Sequence, residues 1–129
     1  MTNRLLLVDD VAFDVDLTCR VLRSCGIEHE IVRAFDGEEA LALLQRDPDF
    51  DLILLDLKLP KLNGFELMEC LLAQAPSLEI PIIVLSGSNL DTDRTRADAL
   101  GAADYVVKAM YFAEYRRNLQ AALARFAAC

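Results

Sequence analysis

Three short stretches of the chain are continuously apolar: Leu5-Leu6-Leu7-Val8, Leu52-Ile53-Leu54-Leu55 and Ile82-Ile83-Val84-Leu85. Runs of this length without polar alternation predict strands buried on both faces. Glu30-Ile31-Val32-Arg33-Ala34 is more mixed and suits a sheet edge, and Tyr105-Val106-Val107 predicts a short fifth strand. Between the runs, apolar positions recur at helical spacing. Phe13, Leu17 and Val21 form a stripe over 12–24, and Ala40, Leu41 and Leu44 form one over 38–46. Phe65, Met68, Leu71 and Leu72 do so over 65–74, Ala97 and Leu100 more weakly over 92–100, and Leu119, Leu123 and Phe126 over 112–126. Asp36-Gly37 and Asn63-Gly64 stand where helices should begin, and Gly101 stands just past a helix end.

Strand and helix thus alternate five times. Parallel strands need long crossovers, so the alternation predicts an α/β fold, a doubly wound five-stranded parallel sheet with helices on both faces. By analogy, five such units fit the flavodoxin-like (βα)5 strand order 2-1-3-4-5.

The chain has 129 residues, 54 % apolar and 26 % charged, which suits one globular domain over 1–129 and not a disordered chain. No apolar run reaches the roughly 18–20 residues of a membrane span, and the first residues lack signal-peptide architecture. We therefore expect a cytoplasmic protein. A formal charge of −8 argues against a nucleic-acid partner, because such binding draws on basic side chains facing phosphates. Cys19, Cys25, Cys70 and Cys129 form no CxxC pair and no zinc spacing, and read as small hydrophobes in a reducing compartment.

Open parallel sheets bind ligands beyond the carboxyl ends of their strands, so the residues after each run carry the information. They are Asp9-Asp10, Asp56, Ser86 and Lys108, while strand 2 ends in Phe35 off to one side. Singly, each has an ordinary explanation: a helix cap, a loop-amide acceptor, a turn residue, a solvated cation. Together they place three carboxylates close enough to repel unless a cation neutralises them. Oxygen-only donors suit Mg²⁺. A metal on Asp9, Asp10 and Asp56 could also take a phosphoryl oxygen, leaving Asp56 as an in-line nucleophile. Lys108 and Ser86 could meet two further phosphoryl oxygens.

The segments Leu7-Val8-Asp9-Asp10, Leu54-Leu55-Asp56-Leu57-Lys58-Leu59-Pro60 with Asn63-Gly64, Ile82-Ile83-Val84-Leu85-Ser86 and Gly101-Ala102-Ala103-Asp104-Tyr105-Val106-Val107-Lys108 carry a resemblance. In this order and spacing the chain resembles the CheY-like receiver domains of two-component response regulators over essentially its whole length. The resemblance implies that Asp56 accepts a phosphoryl group from a sensor histidine kinase or phosphotransfer protein. It implies Mg²⁺ on Asp9, Asp10, Asp56 and the backbone carbonyl of Lys58. It also makes Ser86 and Tyr105 a switch pair, in which the aromatic ring moves as the hydroxyl moves toward the phosphoryl group. Activity would be limited to slow self-catalysed phosphotransfer and dephosphorylation.

One departure stands out: Ala109 follows Lys108, where most receivers carry a proline after a cis bond. A cis bond before a non-proline residue costs roughly 2.5–4 kcal/mol, so this one is expected to be trans. The LDLKLP and IPIIVLSGS phrases resemble the small regulators that serve bacterial phytochromes. Lys58 either overhangs the mouth of the site, slowing phosphate loss, or faces solvent without effect. Gly87, after Ser86, leaves the site open. Val11, Val15, Met110 and Tyr111 either form an apolar patch where a kinase helix bundle docks or pack inward. Asp91, Asp93, Arg94, Arg96, Asp98, Arg116 and Arg117 suit a homodimer through helix 4, strand 5 and helix 5, or a solvated face.

The expectation is a receiver domain with no output domain of its own, or equally a receiver module of a longer regulator, hybrid kinase or phosphorelay. The rival from another class is an aspartate-nucleophile phosphatase. Such enzymes need a second acid two residues past the nucleophile, where this chain has Lys58. A flavodoxin-like carrier lacks its phosphate loop after strand 1.

Overall fold

In the computed structural model, which describes residues 3–76, 78–109 and 111–126, the chain runs as five β-α units. They are β1 (Arg4–Val8), α1 (Ala12–Ser24), β2 (Glu30–Ala34), α2 (Gly37–Arg46), β3 (Leu52–Asp56), α3 (Gly64–Gln74), β4 (Ile82–Ser86), α4 (Asp91–Ala99), β5 (Asp104–Val107) and α5 (Phe112–Phe126). All strand pairs are parallel, and the order is β2-β1-β3-β4-β5, as expected. The mixed strand β2 lies at an edge, and the apolar runs β1, β3 and β4 are interior.

Successive strand residues point to opposite faces, so each apolar run feeds two cores. Leu5, Leu7, Leu52, Leu54, Ile83, Leu85 and Val106 pack with Val21 and Leu22 of α1 and Tyr115, Leu119 and Leu123 of α5. Leu6, Val8, Ile53, Leu55 and Val84 pack with Ala40 and Leu44 of α2, Leu67, Met68 and Leu71 of α3, and Ala97 of α4. This division explains why the runs show no alternation. Both faces of the sheet are covered.

Two apolar assignments are corrected. Phe13, read as part of the α1 core stripe, is 75 % exposed, and Leu72 of α3 is also exposed. Phe13 lies in the first turn of α1, around the helix from the buried Thr18 and Leu22, and lines an open cleft. Leu72 follows Leu71 around the helix and so turns away from the face that Leu71 buries.

Capping fixes where α2 and α3 begin. The Asp36 carboxylate accepts from the Glu39 amide, and Asn63 and Glu66 form a reciprocal capping box at 2.9 and 3.0 Å. Gly64 then brings α3 against the end of β3: its amide donates to Leu57 O, and a Cβ there would lie 2.7 Å from Asp56 O. Gly101 closes α4 with φ of +97°, in the left-handed region that favours glycine.

Gly64→Ala should lower the unfolding free energy by about 2–3 kcal/mol, because the added methyl meets backbone on two sides. Urea denaturation measures this, and an unchanged midpoint would mean that the β3–α3 corner yields without cost.

Candidate functional site

The register sets the carboxyl ends of the strands level. Val8 pairs with Leu55, Asp56 with Leu85, and Ser86 with Val107. Asp9 therefore leaves β1 beside Asp56. Both continue the positions of Leu7 and Leu54, so both side chains turn toward the α1/α5 face. Lys108 continues the position of Val106 and turns the same way.

The result is one cation among three carboxylates. Lys108 Nζ lies 2.8 Å from Asp9, 3.2 Å from Asp14 and 3.4 Å from Asp56. Asp9 is fully buried and Asp56 nearly so. The remaining oxygens also have partners: Asp9 accepts from the Val11 amide and Asp56 from the Lys58 amide. The Lys108 amide donates to Ser86 O, tying β5 to β4 at the site. No cis peptide occurs among the described residues, so Lys108–Ala109 is trans, as expected.

Burial pushes the Asp56 carboxyl above its ordinary range; Lys108 opposes the rise and Asp9 adds to it. Burial alone would lower Lys108, but Asp56, Asp9 and Asp14 outweigh it and hold the ammonium above its usual value. Below the cluster, Thr18 of α1 and Tyr115 of α5 share a buried hydrogen bond of 2.8 Å. Burial pushes the Tyr115 phenol up to about 12.

Asp9, Asp14 and Asp56 each place a carboxylate oxygen within 4.8 Å of the others, a hard, oxygen-only set that fits Mg²⁺. The sequence reading named Asp10 in this set and missed Asp14. Asp10 is exposed on the turn after β1. The first turn of α1 brings the chain back and presents Asp14. A signal existed: Asp14 and Thr18 stand four apart, in line with the buried Leu22 on the inward face of α1. Arg33, also unremarked in the sequence, donates from Nε to Asp9 O at 3.2 Å.

Ser86 and Tyr105 occupy the opposite face, in step with Val84. The Ser88 amide donates to Ser86 Oγ, the Ser88 hydroxyl to Asp93, and the Tyr105 hydroxyl to Ser88 O at 2.9 Å. Arg94 lies 4.7 Å over the Tyr105 ring and donates to Asn89. The two expected switch residues thus meet through one loop residue.

The open cleft beside the acids is lined by Val11, Phe13, Leu17, Lys58, Gly87 and Ala109, among others. Of the patch residues, Val11 and Tyr111 are exposed, as is Phe112, whereas Val15 packs against the α1/α5 core. Met110 lies outside the described residues, as does Cys129; Cys19, Cys25 and Cys70 are free thiols. Among the charged residues of α4 and α5, Arg94 stacks on Tyr105, Arg96 pairs with Glu69 and covers Phe65, and Arg116 bonds Ser24. No helix among the described residues is long and apolar enough to cross a membrane.

A carboxyl whose folded pKa is raised is a liability above that pKa and recovers as pH falls through it toward the unfolded value. Without divalent ions, Asp56→Asn should therefore be more stable than the parent at neutral pH. The gap should close as pH is lowered to about 4, where the unfolded carboxyl also protonates. Urea titrations across that range test the sign, and a parent more stable than the variant throughout would contradict it.

Comparison with known proteins agrees with this geometry. The response regulator receiver domain model matches residues 5–120. The transcriptional regulatory protein CpxR of Escherichia coli K12 is 36 % identical over 124 residues, covering 95 % of this chain and 50 % of CpxR. The chain spans about half the length of the curated relatives it matches. Among solved structures, the phosphorylated cyanobacterial phytochrome response regulator RcpA has a TM-score of 0.82 at 30 % identity, covering 95 % of this chain and 92 % of RcpA. The Mn²⁺-bound form of response regulator Rcp1 has a TM-score of 0.83 at 31 % identity, covering 98 % and 96 %. With its strand order, its crowded acids and its matched length all in agreement, this chain belongs to the response regulator receiver domain family, the signalling switch of two-component systems.

Proposed function

We propose that residues 1–129 act as one receiver unit that takes a phosphoryl group onto Asp56 and changes its binding surface in response. The observation that carries this is the placement of a nearly buried Asp56 carboxylate beside Asp9 and within reach of Lys108. The donor in this reading is a phosphohistidine on a sensor kinase or phosphotransfer protein. An Asp56 oxygen bonds to phosphorus as the P–N bond breaks, and the imidazole nitrogen leaves with the electron pair. Slow hydrolysis by water later returns the carboxylate and releases phosphate.

Asp9, Asp10, Asp56 and the Lys58 carbonyl are the groups we assign to Mg²⁺. When bound, the ion would supply charge neutralisation at the phosphoryl oxygens. Lys108 contributes a point charge to the transferred group. Ser86 supplies a hydroxyl whose proton can be donated, and Tyr105 reads its position through Ser88. The exposed apolar residues Val11, Phe13 and Tyr111 beside the cleft support docking of a helical partner there. Homodimerisation through α4, β5 and α5 is a further proposal. The intrachain partners of Arg94, Arg96 and Arg116 leave Arg117 as an exposed cation for it.

Incubation with Mg²⁺ and acetyl phosphate should add one phosphoryl group per chain, seen by intact mass, and Asp56→Asn should abolish it. Size-exclusion chromatography of the same samples reads dimerisation. Continuous turnover of a phosphate ester, or labelling that persists in Asp56→Asn, would favour the phosphatase reading instead.

Lys58 is exposed beside Asp56, where its charge can hinder approaching water. Lys58→Ala should lose the phosphoryl group roughly two- to fivefold faster, the scale of one exposed charge interaction. An unchanged half-life would leave Lys58 as a solvent-facing residue.

A further inference from the structure

Lys108 has three ammonium hydrogens and three carboxylates around it, Asp9, Asp14 and Asp56. Two of those acceptors have other work. Asp9 and Asp56 end β1 and β3, each binds a loop amide, and each belongs to the chemistry proposed above. On phosphoryl transfer Asp56 becomes an acyl phosphate and loses its carboxylate charge. Asp14 differs from both. It stands on the first turn of α1, and among the described residues its carboxylate bonds Lys108 and no other group. Its side chain is partly exposed at the cleft edge, on the side from which Lys108 reaches across.

We propose that Asp14 is a positioning residue, a fixed ionic tether that holds the Lys108 ammonium at the mouth of the site while Asp9 and Asp56 change partners. The inference rests on the reading of Asp56 as phospho-acceptor. A lysine stem has four rotatable carbons, and an ammonium is an undirected point charge, so its aim depends on its acceptors. With one hydrogen kept on Asp14, another is free to meet a phosphoryl oxygen without the side chain swinging into solvent. Among the described residues, neither the strand ends nor the loop after β5 gives Lys108 another carboxylate that the reaction leaves untouched.

The test uses the full chain, acetyl phosphate and saturating Mg²⁺. Asp14→Ala should slow phosphorylation about tenfold, the scale of one lost charge-assisted hydrogen bond, and Asp14→Glu should recover most of the rate. In a Lys108→Ala background the same Asp14→Ala change should have no further effect. Three outcomes would overturn the tether: no loss of rate, an equal loss without Lys108, or a loss that excess Mg²⁺ cures, which would make Asp14 a metal ligand. A second arm needs no phosphoryl chemistry. Crystal structures of the parent and Asp14→Ala grown with Mg²⁺, in which the ion draws on Asp9 and Asp56, should show Lys108 Nζ held in the first and displaced in the second, and an unmoved Nζ would refute the proposal. Should the parent chain take no phosphoryl group, the Asp56 reading fails. The tether is then decided by the position of Lys108 alone.

Discussion

Carboxylates of like charge do not gather in a nearly dry pocket unless something positive holds them there. In this fold that group is the Lys108 ammonium, shared among Asp9, Asp14 and Asp56. Removing that one cation from the cluster is costly, because three carboxylates are left uncompensated. The cluster also joins distant parts of the chain: β1, α1, β3 and the segment after β5 all contribute a charge. Charge balance and chain connectivity are here the same constraint.

The sheet makes that meeting unavoidable. Level strand ends and a two-residue side-chain period send Asp9, Asp56 and Lys108 to the α1/α5 face. The same period sends Ser86 and Tyr105 to the face covered by α4. Chemistry and readout are thus separated by the thickness of one strand. The two sides are joined through β4, the interior strand that pairs with both β3 and β5.

Much of this was legible in the residues. Continuous apolar runs identified the interior strands, and the polar residue after each run identified the site edge. The Asx-Gly pairs marked the starts of α2 and α3. What escaped was of two kinds. Adjacent Asp9 and Asp10 look equivalent as letters, yet Asp9 is fully buried and Asp10 is exposed on the turn. Asp14 looked like an ordinary first-turn acid, since its partner stands 94 residues later in the chain. Phe13 failed for a related reason: a four-residue step drifts around the helix, so the stripe through Leu17 and Val21 starts off the face that Thr18 and Leu22 bury. Family membership followed from the ensemble, whereas the identity of each contact needed three dimensions.

The bond from the Ser88 amide to Ser86 Oγ has a mechanical consequence. It occupies a lone pair of the hydroxyl and leaves the proton unspent, so Ser86 can reach for an anion without letting go of the loop. Ser88 would then be towed rather than released, because its carbonyl accepts from the Tyr105 phenol and its own hydroxyl donates to the Asp93 carboxylate in the first turn of α4. Under the proposed switch, a small movement of that one oxygen would be geared to a ring and a helix, with a single residue as the coupling rod.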